Sequence, residues 1–169
     1  ELEVSYHLPK SFRFTGSLSY TDGKYVKFKN APVPLEETGS GGNELKDVSG
    51  GVLPGISKWS FTTGVEASTE GNLIGQEGEY FIGMDIFYRS SFSSNPTPSE
   101  YLYIDGYSLI NARIGFRPQK GIAVYVWSRN LTETNYFEQL LAAGGNAGHI
   151  AGVLGDPRTF GVTLRYNLY

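Results

Sequence analysis

Cysteine is absent from the 169 residues. This removes disulfides, thiolate metal sites and a cysteine nucleophile, and it leaves the compartment open. An excess of positive charge is also missing. The 14 Lys and Arg against 17 Asp and Glu give a formal net charge of -3. A nucleic-acid binder needs a basic face, so nucleic acid is not an expected partner. Long hydrophobic runs are missing too. The longest, Ile122 to Trp127, falls far short of the ~20 residues of a helical membrane span. A helical membrane protein is excluded, but a β-barrel is not, because its strands alternate in polarity. No signal-peptide pattern precedes the strand-like Glu1-Leu2-Glu3-Val4.

What the chain has is glycine and aromatics. It carries 22 Gly, 12 Tyr, 10 Phe and 2 Trp, with glycine at roughly twice its usual share. That mix suits strands and turns, with Tyr at boundaries between wet and dry surroundings. Seven segments alternate with period two. Leu2, Val4, Tyr6 and Leu8 share one face of the first (1–8). Phe12, Phe14, Gly16, Leu18 and Tyr20 share one face of the second (12–28). In the third (57–68), Trp59, Phe61, Thr63, Val65 and Ala67 oppose Ser60, Thr62, Gly64 and Glu66.

In the fourth (79–91), Tyr80, Ile82, Met84, Ile86 and Tyr88 oppose Gly83, Asp85 and Arg89, while Phe81 and Phe87 interrupt the polar face. In the fifth (106–117), Ile110, Ala112, Ile114 and Phe116 oppose Asn111, Arg113 and Gly115. The sixth (121–130) is apolar on both faces and its orientation stays open. In the seventh (158–169), Phe160, Val162, Leu164, Tyr166 and Leu168 oppose Thr159, Gly161, Thr163, Arg165 and Asn167.

Several segments reach ten residues, longer than soluble strands and matching the ~9–11 of a membrane strand. The connections alternate in length. Residues 8–11 and 118–120 are tight, whereas 29–56, 92–105 and 131–157 are long and rich in Gly, Pro, Ser and Asn. Outer-membrane barrels pair short periplasmic turns with long outer loops. With the chain end placed in the periplasm, all three long loops fall outside. The 69–78 connection reads as longer than this rule wants. A soluble antiparallel sandwich also alternates and remains the alternative architecture at this point.

Several stretches carry the motifs of one known family. Val52-Leu53-Pro54-Gly55-Ile56-Ser57-Lys58-Trp59-Ser60 is similar to its LP-x-x-P-K-W approach to a late strand, with Ser57 where Pro is common. Tyr107-Ser108-Leu109-Ile110-Asn111-Ala112-Arg113-Ile114-Gly115 is similar to the strand before the penultimate one. Ser128-Arg129-Asn130-Leu131-Thr132-Glu133-Thr134-Asn135-Tyr136 resembles the NL-x-D-x-x-Y segment after the penultimate strand, with Glu133 in the acidic place. Gly155-Asp156-Pro157-Arg158-Thr159-Phe160-Gly161-Val162-Thr163-Leu164-Arg165-Tyr166 resembles the final strand. The motifs stand in family order over roughly the last 120 residues, and in them the chain resembles the TonB-dependent receptor family. A terminal aromatic in the lipid-facing phase is usual in the family. Here Leu168 holds that phase and Tyr169 lies one beyond.

The resemblance implies an all-β fold. The antiparallel meander of about seven long strands would be the carboxy-terminal portion of a transmembrane barrel of about 22 strands. Residues 1–169 would lack the plug and the earlier strands, and the odd strand count points to a fragment. The implied function is uptake of a scarce ligand, such as an iron-siderophore, with no catalysis and no cofactor. The implied partners are outer-membrane lipid, TonB through the absent plug, the barrel-insertion machinery at the last strand and a small-molecule ligand of unknown identity. A passive or adhesive barrel and a soluble carbohydrate-binding sandwich are the competing functions.

Site residues follow from both readings. Trp59, Asn130, Pro157 and Arg158 are the structural motif residues: Asn130 as a cap of the loop backbone, Arg158 as a polar anchor at the outer mouth or an ordinary loop charge. His149 and Asn146, in the Gly/Ala-rich outer loop, are the ligand-binding candidates, although a lone His is usually only a solvated side chain. His7 reads as polar wall beside Glu3. The sequon Asn130-Leu131-Thr132 carries almost no weight, and Gly39-Ser40-Gly41-Gly42 lacks the Lys-Ser/Thr of a phosphate loop. Glu66, Asp85, Arg89, Asn111, Arg113 and Arg165 share the inner phase, as a wet wall facing a plug would require. No catalytic triad or metal spacing assembles.

Overall fold

A computed structural model describes residues 1–8, 11–37, 45–97, 99–143 and 148–167. Its main body is one seven-stranded antiparallel sheet. In chain order the strands are β1 (Leu2–Leu8), β2 (Phe12–Tyr20), β3 (Ala31–Pro32), β4 (Leu45–Lys46), β5 (Trp59–Leu73), β6 (Gln76–Arg89), β7 (Phe92–Ser93), β8 (Tyr103–Ile104), β9 (Tyr107–Pro118), β10 (Gly121–Arg129), β11 (Phe137–Ala142), β12 (Ile150–Leu154) and β13 (Thr159–Asn167). The sheet order is β1-β2-β5-β6-β9-β10-β13. Each long strand therefore pairs with the next long strand, a plain meander with no crossover. The short strands form separate hairpins, β3-β4, β7-β8 and β11-β12, inside the three long loops.

The register carries one apolar face across all seven strands. One row runs Leu2↔Leu18↔Phe61↔Tyr88. Another runs Ala67↔Ile82↔Ile114↔Val126↔Val162. Leu18, Ile82, Met84, Ile114, Val162 and Leu164 all belong to this face and all are exposed. The uncovered face removes the sandwich alternative, whose second sheet would have to bury it. Pairing also fixes the strand whose orientation the sequence left open. Val124 opposes Phe116 and Leu164, so Ile122, Val124 and Val126 join the apolar face while Ala123, Tyr125 and Trp127 point the other way.

Aromatics bracket this face. β6 runs Tyr80, Ile82, Met84, Ile86, Tyr88, and β13 runs Phe160, Val162, Leu164, Tyr166. Tyr80 to Tyr88 spans about 27 Å along the strand, or roughly 20 Å of height at a barrel tilt of ~40°. That approaches the ~25 Å apolar band between the aromatic girdles of outer-membrane barrels.

Two expectations need correction. The second strand ends at Tyr20 rather than Phe28. Beyond it Tyr25 and Phe28 bond to the 48–51 segment of the same loop, because Asp22-Gly23 ends the regular ladder. The 69–78 connection is not long. β5 and β6 pair up to Leu73↔Gln76, leaving a two-residue turn at Ile74 and Gly75. Both have positive φ, 50° and 78°, as the twist-matched hairpin turn requires. Gly75 accepts this without cost, and its N–H donates to Asn72 Oδ1 at 2.9 Å. All tight turns thus lie at one end of the sheet and all long loops at the other. Pro9-Lys10 of the first turn, the 39–42 stretch, and Leu168 with Tyr169 lie outside the described residues.

Candidate functional site: the outer loops and the inner wall

The long loops pack into a body of their own above the outer sheet end. Ala31, Val48, Phe92, Leu102, Ile104 and Thr97, all loop residues, are buried. Thr97 Oγ1 donates to Pro32 O at 2.5 Å. Ser99 Oγ and Glu100 N donate to the Glu36 carboxylate, both at 2.8 Å. Gly55 N donates to Ser93 O at 2.8 Å, and Leu140 N to Ser94 Oγ at 3.1 Å. Every pair joins two different loops. Bonds to the carboxylate from Glu36's own backbone N–H, Glu100 N–H and the Ser99 hydroxyl hold the Glu36 pKa below its usual 4.5.

Asn130 closes the base of the last loop. It sits at φ 48° and is buried. Its Nδ2 donates to Thr134 O at 2.9 Å and Asp156 O at 3.1 Å. Its Oδ1 accepts from Thr134 N at 2.9 Å, and its own N–H donates to Asn111 Oδ1 at 3.0 Å. Asn tolerates this left-handed backbone better than most residues, and its short amide reaches the loop backbone. Arg158 pairs with Glu133 at 2.7 Å, so two motif residues from opposite loop ends meet. Tyr136 stacks on Tyr107, ring centroids 4.3 Å apart, and covers Gly155, where any Cβ would overlap its ring. Pro157 is exposed beside this clasp.

The other named residues lie elsewhere. Trp59 is on the apolar face at its outer edge, 4.7 Å from the Tyr20 ring centroid. His149 is exposed near the outer end of the β11-β12 hairpin, where its carbonyl accepts from Ala143 N at 3.0 Å. Asn146 lies outside the described residues. His7 is on the face opposite the apolar set, its Nδ1 3.4 Å from Ser5 Oγ.

The inner face carries one charge network. Glu66 accepts from Arg113 Nη2 at 3.1 Å and from Arg117 Nη2 at 2.9 Å. Arg113 also pairs with Asp85, and Arg117 with Glu79 at 3.3 Å. Arg117 lies 4.4 Å over the Phe81 ring centroid. Arg89 instead bonds Ser57 Oγ and Gly55 O, both at 3.0 Å, and Arg165 belongs to neither group. Glu79 and Arg117 were not singled out from the sequence, although the odd-numbered phase that gives Asp85 and Arg113 on the same two strands gives them too. Each carboxylate of this network meets a guanidinium, which is an arrangement for a fixed polar surface and not an acid–base pair. Among the described residues no group of three His, Asp or Glu side chains could hold a metal.

A meander with one exposed apolar face, an ion-paired opposite face and folded loops at one end is the architecture of a stretch of transmembrane β-barrel wall. The chain belongs to the TonB-dependent receptor family: the family model described as "TonB dependent receptor-like, beta-barrel" matches residues 1–131. Members of that family are receptors and transporters of the gram-negative outer membrane rather than enzymes. Among solved structures the chain is similar to the siderophore receptor PiuA from Acinetobacter baumannii, with 14% identity and a TM-score of 0.63. The match covers 96% of this chain and 20% of that receptor, so it supports the fold and spans a fifth of the relative. A search of curated proteins finds no match.

Proposed function

We propose that residues 1–169 form the carboxy-terminal wall of a barrel of about 22 strands closed around a plug. The complete protein takes up a scarce ligand across the outer membrane with energy delivered by TonB. The observation that carries this reading is the apolar face shared by all seven strands, together with the family membership. The ion-paired inner face gives a plug a polar surface to lie against. The outer loop body, including His149 and the undescribed Asn146, is the wall's contribution to ligand capture, with the clasp at Asn130 and Arg158 holding the last loop in place. TonB reaches the receptor through the plug, and β13 is the strand offered to the insertion machinery. An iron-siderophore is the first cargo to try, since the structurally similar protein is a siderophore receptor. The test is uptake of radio-iron from a panel of siderophores by cells with and without the full-length gene, in tonB-positive and tonB-negative backgrounds. Gene- and TonB-dependent uptake of one siderophore is the expected result. Equal entry without TonB favours a passive barrel.

A further inference from the structure

The three outer loops join in the order of the strands that carry them. Thr97 of the second loop bonds Pro32 O of the first, and Ser99 and Glu100 bond Glu36. Leu140 of the third bonds Ser94 Oγ of the second, and β11 lies against β8 and the 100–102 turn. Side by side, β8, β11 and β12 thus repeat the order of β9, β10 and β13 beneath them. Apolar side chains are covered along this series: Ala31, Leu102 and Ile104 are buried. The series stops at β12. One of its edges is taken by β11, and among the described residues no strand pairs with the other. Ala143 N donates to His149 O, and the register continues through Ala142↔Ile150 and Leu140↔Gly152. In the antiparallel alternation Ile150, Gly152 and Leu154 therefore turn their N–H and C=O groups to the open edge. All five residues of β12, Ile150-Ala151-Gly152-Val153-Leu154, are apolar and exposed, Leu154 at 69%. An open edge ordinarily carries a charge, a proline or a bulge against unwanted pairing. β12 has none of these, since the one register shift of its hairpin lies on β11. Lipid does not cover it, because the charged Asp156 and Arg158 stand between β12 and Phe160, the outermost lipid-phase aromatic of β13.

We infer that β12 is the docking edge for the outer loop carried by the barrel's first strand, which adds an extended segment to the β11-β12 hairpin and covers Ile150, Val153 and Leu154. The inference rests on the closed-barrel reading above. In a closed barrel the free edge of β13 takes the first strand, so the loop of that strand stands beside β12 as β8 stands beside β11. The contact continues the joints between the first, second and third loops and fastens the last outer loop to the first. β12 carries no charge, so main-chain bonds and apolar cover hold the contact, and salt should weaken it little.

The test is hydrogen exchange of the full-length receptor in lipid nanodiscs, read at the amides of Ile150, Gly152 and Leu154. Slow exchange is expected there, and replacing the first outer loop by a short Gly-Ser turn should speed it about tenfold or more while β13 keeps its protection. Fast exchange at these amides in the intact receptor, or slow exchange that survives the loop replacement, overturns the inference. Disulfide trapping serves where the shortened loop prevents folding. Ile150→Cys or Leu154→Cys is combined with single cysteines along the first outer loop, in a receptor otherwise free of cysteine. An intramolecular cross-link for at least one pair is the expected result. No cross-link, or a covalent dimer through Ile150→Cys alone, which would seat a second copy on this edge, overturns the inference. Protected β13 with fast-exchanging β12 leaves the closed-barrel reading standing. Unprotected amides along the outward edge of β13 in the intact receptor remove that reading and the inference with it.

Discussion

Asn130 shows how much one side chain can close. Its amide, its N–H and its left-handed backbone hold β10, the following turn and the approach to β13 together. Asn130→Ala would leave the Asp156 and Thr134 carbonyls and the Thr134 N–H without their side-chain partner, while the backbone N–H to Asn111 Oδ1 remains. At ~1–3 kcal/mol for a stranded buried group, we expect hydrogen exchange in 131–136 and 155–158 to speed at least tenfold while the wall strands keep their protection. Unchanged exchange there would remove Asn130 from its closing role. Gly155→Ala should give a related phenotype by another route, because a Cβ would displace Tyr136 from its place against Tyr107. The sequence motif named these positions, but the partners of Asn130 lie as far away as Asn111 and Asp156. Spacing along a chain does not show which distant carbonyls an amide will meet.

At the scale of elements, strand phase was legible wherever one face was apolar and the other polar. A one-residue slip would turn the whole apolar set inward, so the pattern alone fixes the face. The sixth strand had apolar residues on both faces, and only its pairing with β9 and β13 settled it. The β5-β6 turn was misread because Ile74 is not a turn residue by composition and Glu70-Gly71-Asn72 looks like loop. The hairpins inside the outer loops escaped because their stability comes from contacts between loops, not from local alternation.

Two expectations belong here. On the apolar face, Ile82→Arg should destabilise insertion into bilayers by ~2–4 kcal/mol, measured by urea-dependent folding into lipid vesicles, whereas Thr62→Arg on the inner face should cost much less. In the loop body, the lowered pKa of Glu36 makes its bonds to Ser99 and Glu100 stabilising above the usual 4.5, and that contribution is lost as pH falls through the lowered value. Exchange protection of 99–102 should therefore drop in acid in the wild type, and Glu36→Gln should largely remove the pH dependence. A pH-independent wild type would contradict this.

For the whole molecule, the sheet has two open edges, β1 and β13, and one broad apolar face. Neither suits water: edges recruit other chains, and the face exceeds the ~300–600 Å² patches of ordinary soluble surfaces. The chain expressed alone without detergent should therefore associate, as read by light scattering. A monodisperse monomer with a cooperative melt would speak for a soluble fold. The most direct measurement uses the absence of native cysteine in this stretch. Single spin labels placed in turn at 82, 83, 84, 85 and 86 of the full-length receptor in bilayers report their access to oxygen and to a water-soluble nickel chelate. The wall predicts high oxygen and low nickel access at 82, 84 and 86, with the order reversed at 83 and 85. Nickel access at the even positions, or no alternation along β6, would contradict it.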